Sequence, residues 1–74
     1  MDQQLSLNWV ALVEEAKRRR KTLGFTQQRL AALASISTPT VSRFENHKED
    51  IQLSSILAIL KVLGMLDTTA SAEG

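Results

Sequence analysis

Apolar residues recur every three or four positions through most of this chain, and nowhere do they alternate with polar ones long enough to make a half-buried strand. That periodicity predicts helices and no sheet. Gly24, Gly64, Gly74 and Pro39 are the only strong breakers, and they divide the pattern into four helical pieces. The first starts near Asn8, a good N-cap, and runs to about Thr22, with Trp9, Leu12, Val13, Ala16, position 20 and Leu23 on one stripe. Thr26 caps a second through about Ala34. After the three-residue punctuation Ser35-Ile36-Ser37, Ser37 caps a third, which carries Pro39 in its first turn, where no backbone donor is needed, and ends near Asn46. A polar connection, 47–52, leads to a last helix from about Leu53 to Leu63, closed by Gly64.

Seventy-four residues leave room for one small core, which excludes a multidomain enzyme. With 43% hydrophobic and 23% charged residues the chain has the balance of a folded soluble domain, not of a disordered tail. There is no cysteine, so neither disulfides nor a thiolate zinc site can add stability. Oligomerisation is the remaining device, and the last helix points the same way. Ten of the fourteen residues from Leu53 to Leu66 are apolar, more than one helix face buries in its own domain. Ile59, Leu60, Leu63 and Leu66 are therefore the expected surface of a homodimer. Residues 1–7 read as an N-terminal arm, 8–66 as the folded domain and 67–74 as a frayed tail. The N-terminus has no basic lead before an apolar run, and the longest apolar stretch is too short and too interrupted to span a bilayer, so a cytoplasmic protein without membrane contact is expected.

Net charge is only +1, but its distribution is uneven. Between Lys17 and Lys48 lie eight bases and one acid, Glu45, a local charge of +7; elsewhere Lys61 stands against seven acids, giving −6. Such segregation suits a polyanionic partner, although charge alone leaves open an ordinary solvated basic face.

Two short capped helices joined by a tight turn, the second opening in small polar residues, are the arrangement that places a helix in the DNA major groove. Residues 26–46 form such a unit here, with Ala31 small enough for close approach and Leu30, Ile36, Val41 and Phe44 as its joint core. A small helical bundle could use the same hairpin. The stretch Leu23-Gly24-Phe25-Thr26-Gln27-Gln28-x-Leu30-Ala31, then Ser37-x-x-x-Val41-Ser42-Arg43-Phe44-Glu45-Asn46, resembles the Cro and C1-type (XRE-like) helix-turn-helix family. Leu53-x-x-Ile56-x-x-Ile59-x-x-x-Leu63-Gly64 is similar to that family's closing helix. Phe44-Glu45-Asn46, the acidic connection and Leu53-Ser54-Ser55 look most like HipB-like antitoxins. The resemblance implies an all-α, lambda-repressor-like domain of four to five helices. Two residues depart from the pattern: Ser35 and His47 stand where glycines are common, at positions where positive φ is expected.

Arg20 continues the apolar stripe of the first helix, which aims a cation at the core, where it needs a partner. The resemblance implies that the partner is Glu45; extension of Arg20 into solvent is the alternative. The resemblance also places base contacts at Thr38, Pro39, Ser42 and Arg43. Arg43 can donate two hydrogen bonds to guanine O6 and N7, worth roughly 1–3 kcal/mol of discrimination. Gln27, beside Thr26 at the start of the second helix, resembles a phosphate-gripping glutamine, and Ser37, Asn46 and Lys48 are further phosphate candidates. Thr40 is either a phosphate contact or solvated. Arg18, Arg19 and Lys21 read as helix solvation with some long-range attraction for DNA.

Catalysis has little material. The single His47 has neither a cysteine nor a second histidine for a metal site or nucleophilic pair, and Glu14-Glu15 and Glu49-Asp50 read as solvated surface. There is no glycine-rich phosphate loop. No metal, cofactor or enzymatic activity is expected. The reading is a sequence-specific regulator of double-stranded DNA, acting as a homodimer and nucleoid-associated when bound. The antitoxin resemblance implies autoregulation and a toxin partner. The rival is a protein-interaction module whose last helix docks a partner such as a toxin without reading DNA.

Overall fold

The computed structural model describes residues 8–66; the arm, 1–7, and the tail, 67–74, lie outside the described residues. Within them are four helices, α1 (Trp9–Thr22), α2 (Gln27–Ala34), α3 (Thr38–Glu45) and α4 (Leu53–Val62). Three begin on a side-chain cap. Asn8 Oδ1 accepts from the Ala11 amide at 3.0 Å, Thr26 Oγ1 from Arg29 at 2.9 Å, and Ser37 Oγ from Thr40 at 3.2 Å. Gln52 opens α4 without a side-chain cap.

All four helices end in the same way. A 6→1 bond runs from Phe25 N to Arg20 O, Ile36 N to Ala31 O, Lys48 N to Arg43 O and Met65 N to Leu60 O, at 2.8–3.1 Å. Each requires one left-handed residue, supplied by Gly24 (φ 78°), Ser35 (φ 59°), His47 (φ 66°) and Gly64 (φ 73°). Glycine adopts that conformation freely; Ser35 and His47 hold it against the steric clash of a Cβ.

Val13, Leu30, Val41, Phe44 and Ile59 are fully buried, and Ala16, Ala31, Leu60 and Leu63 complete the core around them. α2 packs on both α3 and α4, and α1 lies against α3. The start of α1 is pinned to the end of α3: the Trp9 ring meets Phe44 edge-on, centroids 5.6 Å apart, and its Nε1 donates to the His47 carbonyl at 3.2 Å. His47 Nε2 also lies 2.8 Å from Glu14 Oε2, although the ring N–H is not aligned for a hydrogen bond.

Two expectations change. Leu23, placed on the buried stripe of α1, is exposed, because the helix has already ended and the chain is turning through Gly24. Ile59, Leu60 and Leu63, expected at a dimer interface, are only 0%, 6% and 4% exposed and belong to the chain's own core. Leu66 is half-buried against that core. The surplus apolar surface of α4 is elsewhere, on Leu53 (68% exposed) and Leu57 (39%). Among the described residues no helix is long and apolar enough to cross a membrane.

Candidate nucleic-acid interface

Helical periodicity sorts the side chains of α3. Val41, Phe44 and Glu45 turn inward, whereas Thr38, Pro39 and Arg43 are exposed and Ser42 is half-buried. The four residues expected to contact bases thus lie along the outer side of one short helix, whose inner side is anchored by Phe44. Small side chains in its first turn leave the backbone open to close approach.

The buried acid Glu45 organises the floor beneath this helix. It is 4% exposed, and its carboxylate accepts from Arg20 Nε at 2.6 Å and Arg20 Nη2 at 3.0 Å, a two-pronged ion pair between α1 and α3. Arg20 Nη1 donates to the Phe25 carbonyl at 2.8 Å. Burial by itself would raise the Glu45 pKa; the hydrogen bonds from Arg20 and Gln27 and the charges of Arg20 and Lys17 outweigh it and hold the carboxyl below its ordinary value.

Glu45 also takes a bond from Gln27 Nε2 at 3.0 Å. Because an ionised carboxylate only accepts, the Gln27 amide is fixed with its nitrogen toward Glu45, leaving one N–H for another acceptor. A continuous chain, Arg20 to Glu45 to Gln27, therefore leads from the core to the exposed start of α2. There the Thr26 side chain is spent on the Arg29 amide, while the Gln27 and Gln28 amides precede the first intrahelical donor of α2, Leu30. Free amides and the helix dipole together suit an anion.

The other phosphate candidates spread further. Ser37 and Thr40 face each other, their hydroxyls 2.7 Å apart. Asn46 and Lys48 are exposed at the C-terminal end of α3 and in the turn that follows it.

Three sets of contacts go beyond the sequence reading. Arg43 is not free: its Nη2 lies 2.6 Å from Asp50 Oδ2 and donates to the Asp50 carbonyl at 3.1 Å. The hydrogen bond from Arg43 holds the Asp50 pKa below its ordinary value. Arg19, read as solvation, donates from Nη1 to the Leu63 and Gly64 carbonyls at 3.2 and 3.0 Å, closing the C-terminus of α4. Glu15 gathers Arg18 and Arg19 at 2.7 and 2.8 Å; hydrogen bonds first from Arg18 and then from Arg19 lower its pKa to about 2. Two of the clustered bases are thus partly neutralised. Helical spacing marks only the Glu15 contacts in advance; the Arg43 and Arg19 partners depend on how the turns fold.

Comparison with known proteins agrees with this geometry. Residues 17–69 match the Helix-turn-helix family. Two solved structures contain chains that are 30% identical, each covering 89% of this chain and 93% of its own with a TM-score of 0.74: one is described as MDT Protein, the other as the structure of a HipA-HipB-O2-O3 complex. No curated protein matches the chain. The family match across most of the sequence, over the same capped helices and turn, places this chain in the Cro/C1-type helix-turn-helix family.

Proposed function

We propose that this protein is a sequence-specific regulator of double-stranded DNA that reads the major groove with the outer side of α3. The observation that carries the reading is the division of that helix: Val41, Phe44 and Glu45 hold it to the core while Thr38, Pro39, Ser42 and Arg43 project away. Thr38 presents a hydroxyl and a methyl, Pro39 gives shape and methyl contact, and Arg43 addresses guanine. Thr26, Gln27, Ser37, Thr40, Asn46 and Lys48 set register through phosphates without reading sequence.

The protein acts as a homodimer on a roughly palindromic operator with half-sites about one helical turn apart. Ile59, Leu60 and Leu63 do not form that contact, since each is enclosed by its own chain. Binding blocks a promoter, and no catalysis is involved.

An antitoxin role is the more specific reading, supported by the likeness to a chain of the HipA-HipB-O2-O3 complex. In that case the second partner is a toxin protein, and the regulated operon is the protein's own. Co-purification with the product of the adjacent gene tests this part.

Selection of duplexes from a randomised pool tests the DNA reading. Wild-type protein is expected to enrich a two-fold symmetric sequence, and Arg43→Ala to relax preference at one base pair per half-site. Enrichment of no sequence would refute it.

A further inference from the structure

Arg43 and Asp50 meet across the turn that leaves α3. Nη2 of the arginine lies 2.6 Å from Asp50 Oδ2 and 3.1 Å from the Asp50 carbonyl oxygen. A guanidinium has two edges able to donate paired hydrogen bonds, Nε with Nη2 and Nη1 with Nη2, and both use that nitrogen. Nη2 donates to the Asp50 carbonyl, and the Asp50 carboxylate pairs by charge with the same nitrogen at 2.6 Å. While the contact stands the nitrogen common to both forks is engaged, and a guanine that offers O6 and N7 together must compete with Asp50 for it. The contact is exposed, Arg43 by half and Asp50 by three quarters, so it opens without disturbing the core. The turn beneath it is held by Lys48 N bonded to the Arg43 carbonyl at 3.1 Å, which keeps Asp50 within reach.

We propose that Asp50 is an internal competitor for the reading arginine, lowering affinity for the recognised site by the fraction of time that it occupies the Arg43 fork. This rests on the reading that Arg43 contacts a base. Only the open arginine binds a guanine, so the apparent dissociation constant is the intrinsic one divided by the open fraction. At a wrong base pair the arginine returns to Asp50 and is not left unpaired, which reduces the loss there. Asp50 therefore weakens cognate binding and blunts discrimination at one position, keeping occupancy of the operator adjustable.

The test uses duplexes selected by wild-type protein and the same duplexes altered at the base pair where Arg43→Ala relaxes preference. Asp50→Asn is compared with Glu49→Gln, which removes the same charge from the exposed neighbouring residue. On the selected duplex Asp50→Asn is expected to bind about 1.5- to 5-fold tighter than Glu49→Gln, the range an exposed ion pair supports. On the altered duplex, and in an Arg43→Ala background, the two are expected to match. Equal effects on the selected duplex, or weaker binding by Asp50→Asn, would overturn the competitor role and leave the DNA reading intact. If Arg43→Ala relaxes no position, the base-contact reading falls and the competitor role with it.

Discussion

Arg20 and Glu45, on different helices and 25 positions apart, meet through two hydrogen bonds of 2.6 and 3.0 Å with both side chains nearly buried. Removing one member leaves the other charged and unpaired inside the protein. Glu45→Ala is expected to destabilise the fold by about 3–5 kcal/mol, the usual cost of breaking a buried pair. Urea unfolding measures it, and a loss below about 1 kcal/mol would show that Arg20 finds another partner or reaches solvent.

The same pair sets a pH dependence. The folded Glu45 pKa lies below its unfolded value, so the stabilisation is complete above the unfolded value and is lost as pH falls through it toward the folded one. Glu15, held at about 2 by Arg18 and Arg19, acts in the same acid window but is more than a third exposed, so salt screens its share. In 1 M salt the acid slope of unfolding free energy is expected to persist in wild type and to flatten in Glu45→Gln. Equal slopes in the two proteins would contradict the assignment.

Ser35 holds φ at 59° at the end of α2, where glycine carries no Cβ penalty. Its side chain is exposed. Ser35→Gly is expected to stabilise the protein by about 0.5–1 kcal/mol, the relief of the left-handed strain less the added entropy of the unfolded chain. Thermal or urea unfolding reads the gain; a loss would mean that the serine side chain contributes more than its backbone costs.

Local chemistry made much of this fold legible. Asn8, Thr26 and Ser37 announce three helix starts, and Gly24 and Gly64 two ends, because capping depends on the few residues around each terminus. The inward turn of Val41 and Phe44 follows from spacing alone. What spacing could not resolve is α4, where apolar residues surround the helix and nothing local separates Ile59 and Leu60, which are buried, from Leu53 and Leu57, which are exposed. Glu45 as the partner of Arg20 came from the family resemblance, since the stripe showed only that Arg20 needs one. The Asp50 grip on Arg43 and the Arg19 closure of α4 depend on tertiary approach, which no periodic signal encodes.

That division of α4 has a direct consequence. Ile59→Ala is expected to cost about 2–5 kcal/mol as a cavity at the centre of the core, whereas Leu53→Ala should stay within about 0.5 kcal/mol. Paired denaturation curves decide it. Comparable losses at the two positions would mean that Leu53 is covered by another chain or segment in solution.

The central claim is that the outer side of α3, with the start of α2, meets duplex DNA. Amide chemical shifts of uniformly labelled protein, followed while a selected duplex is added, test it residue by residue. The account predicts that the largest changes fall on Thr26 to Arg29 and Thr38 to Arg43, apart from Pro39, which has no amide proton. Changes centred on Leu53 and Leu57, with the α3 amides unmoved, would contradict it.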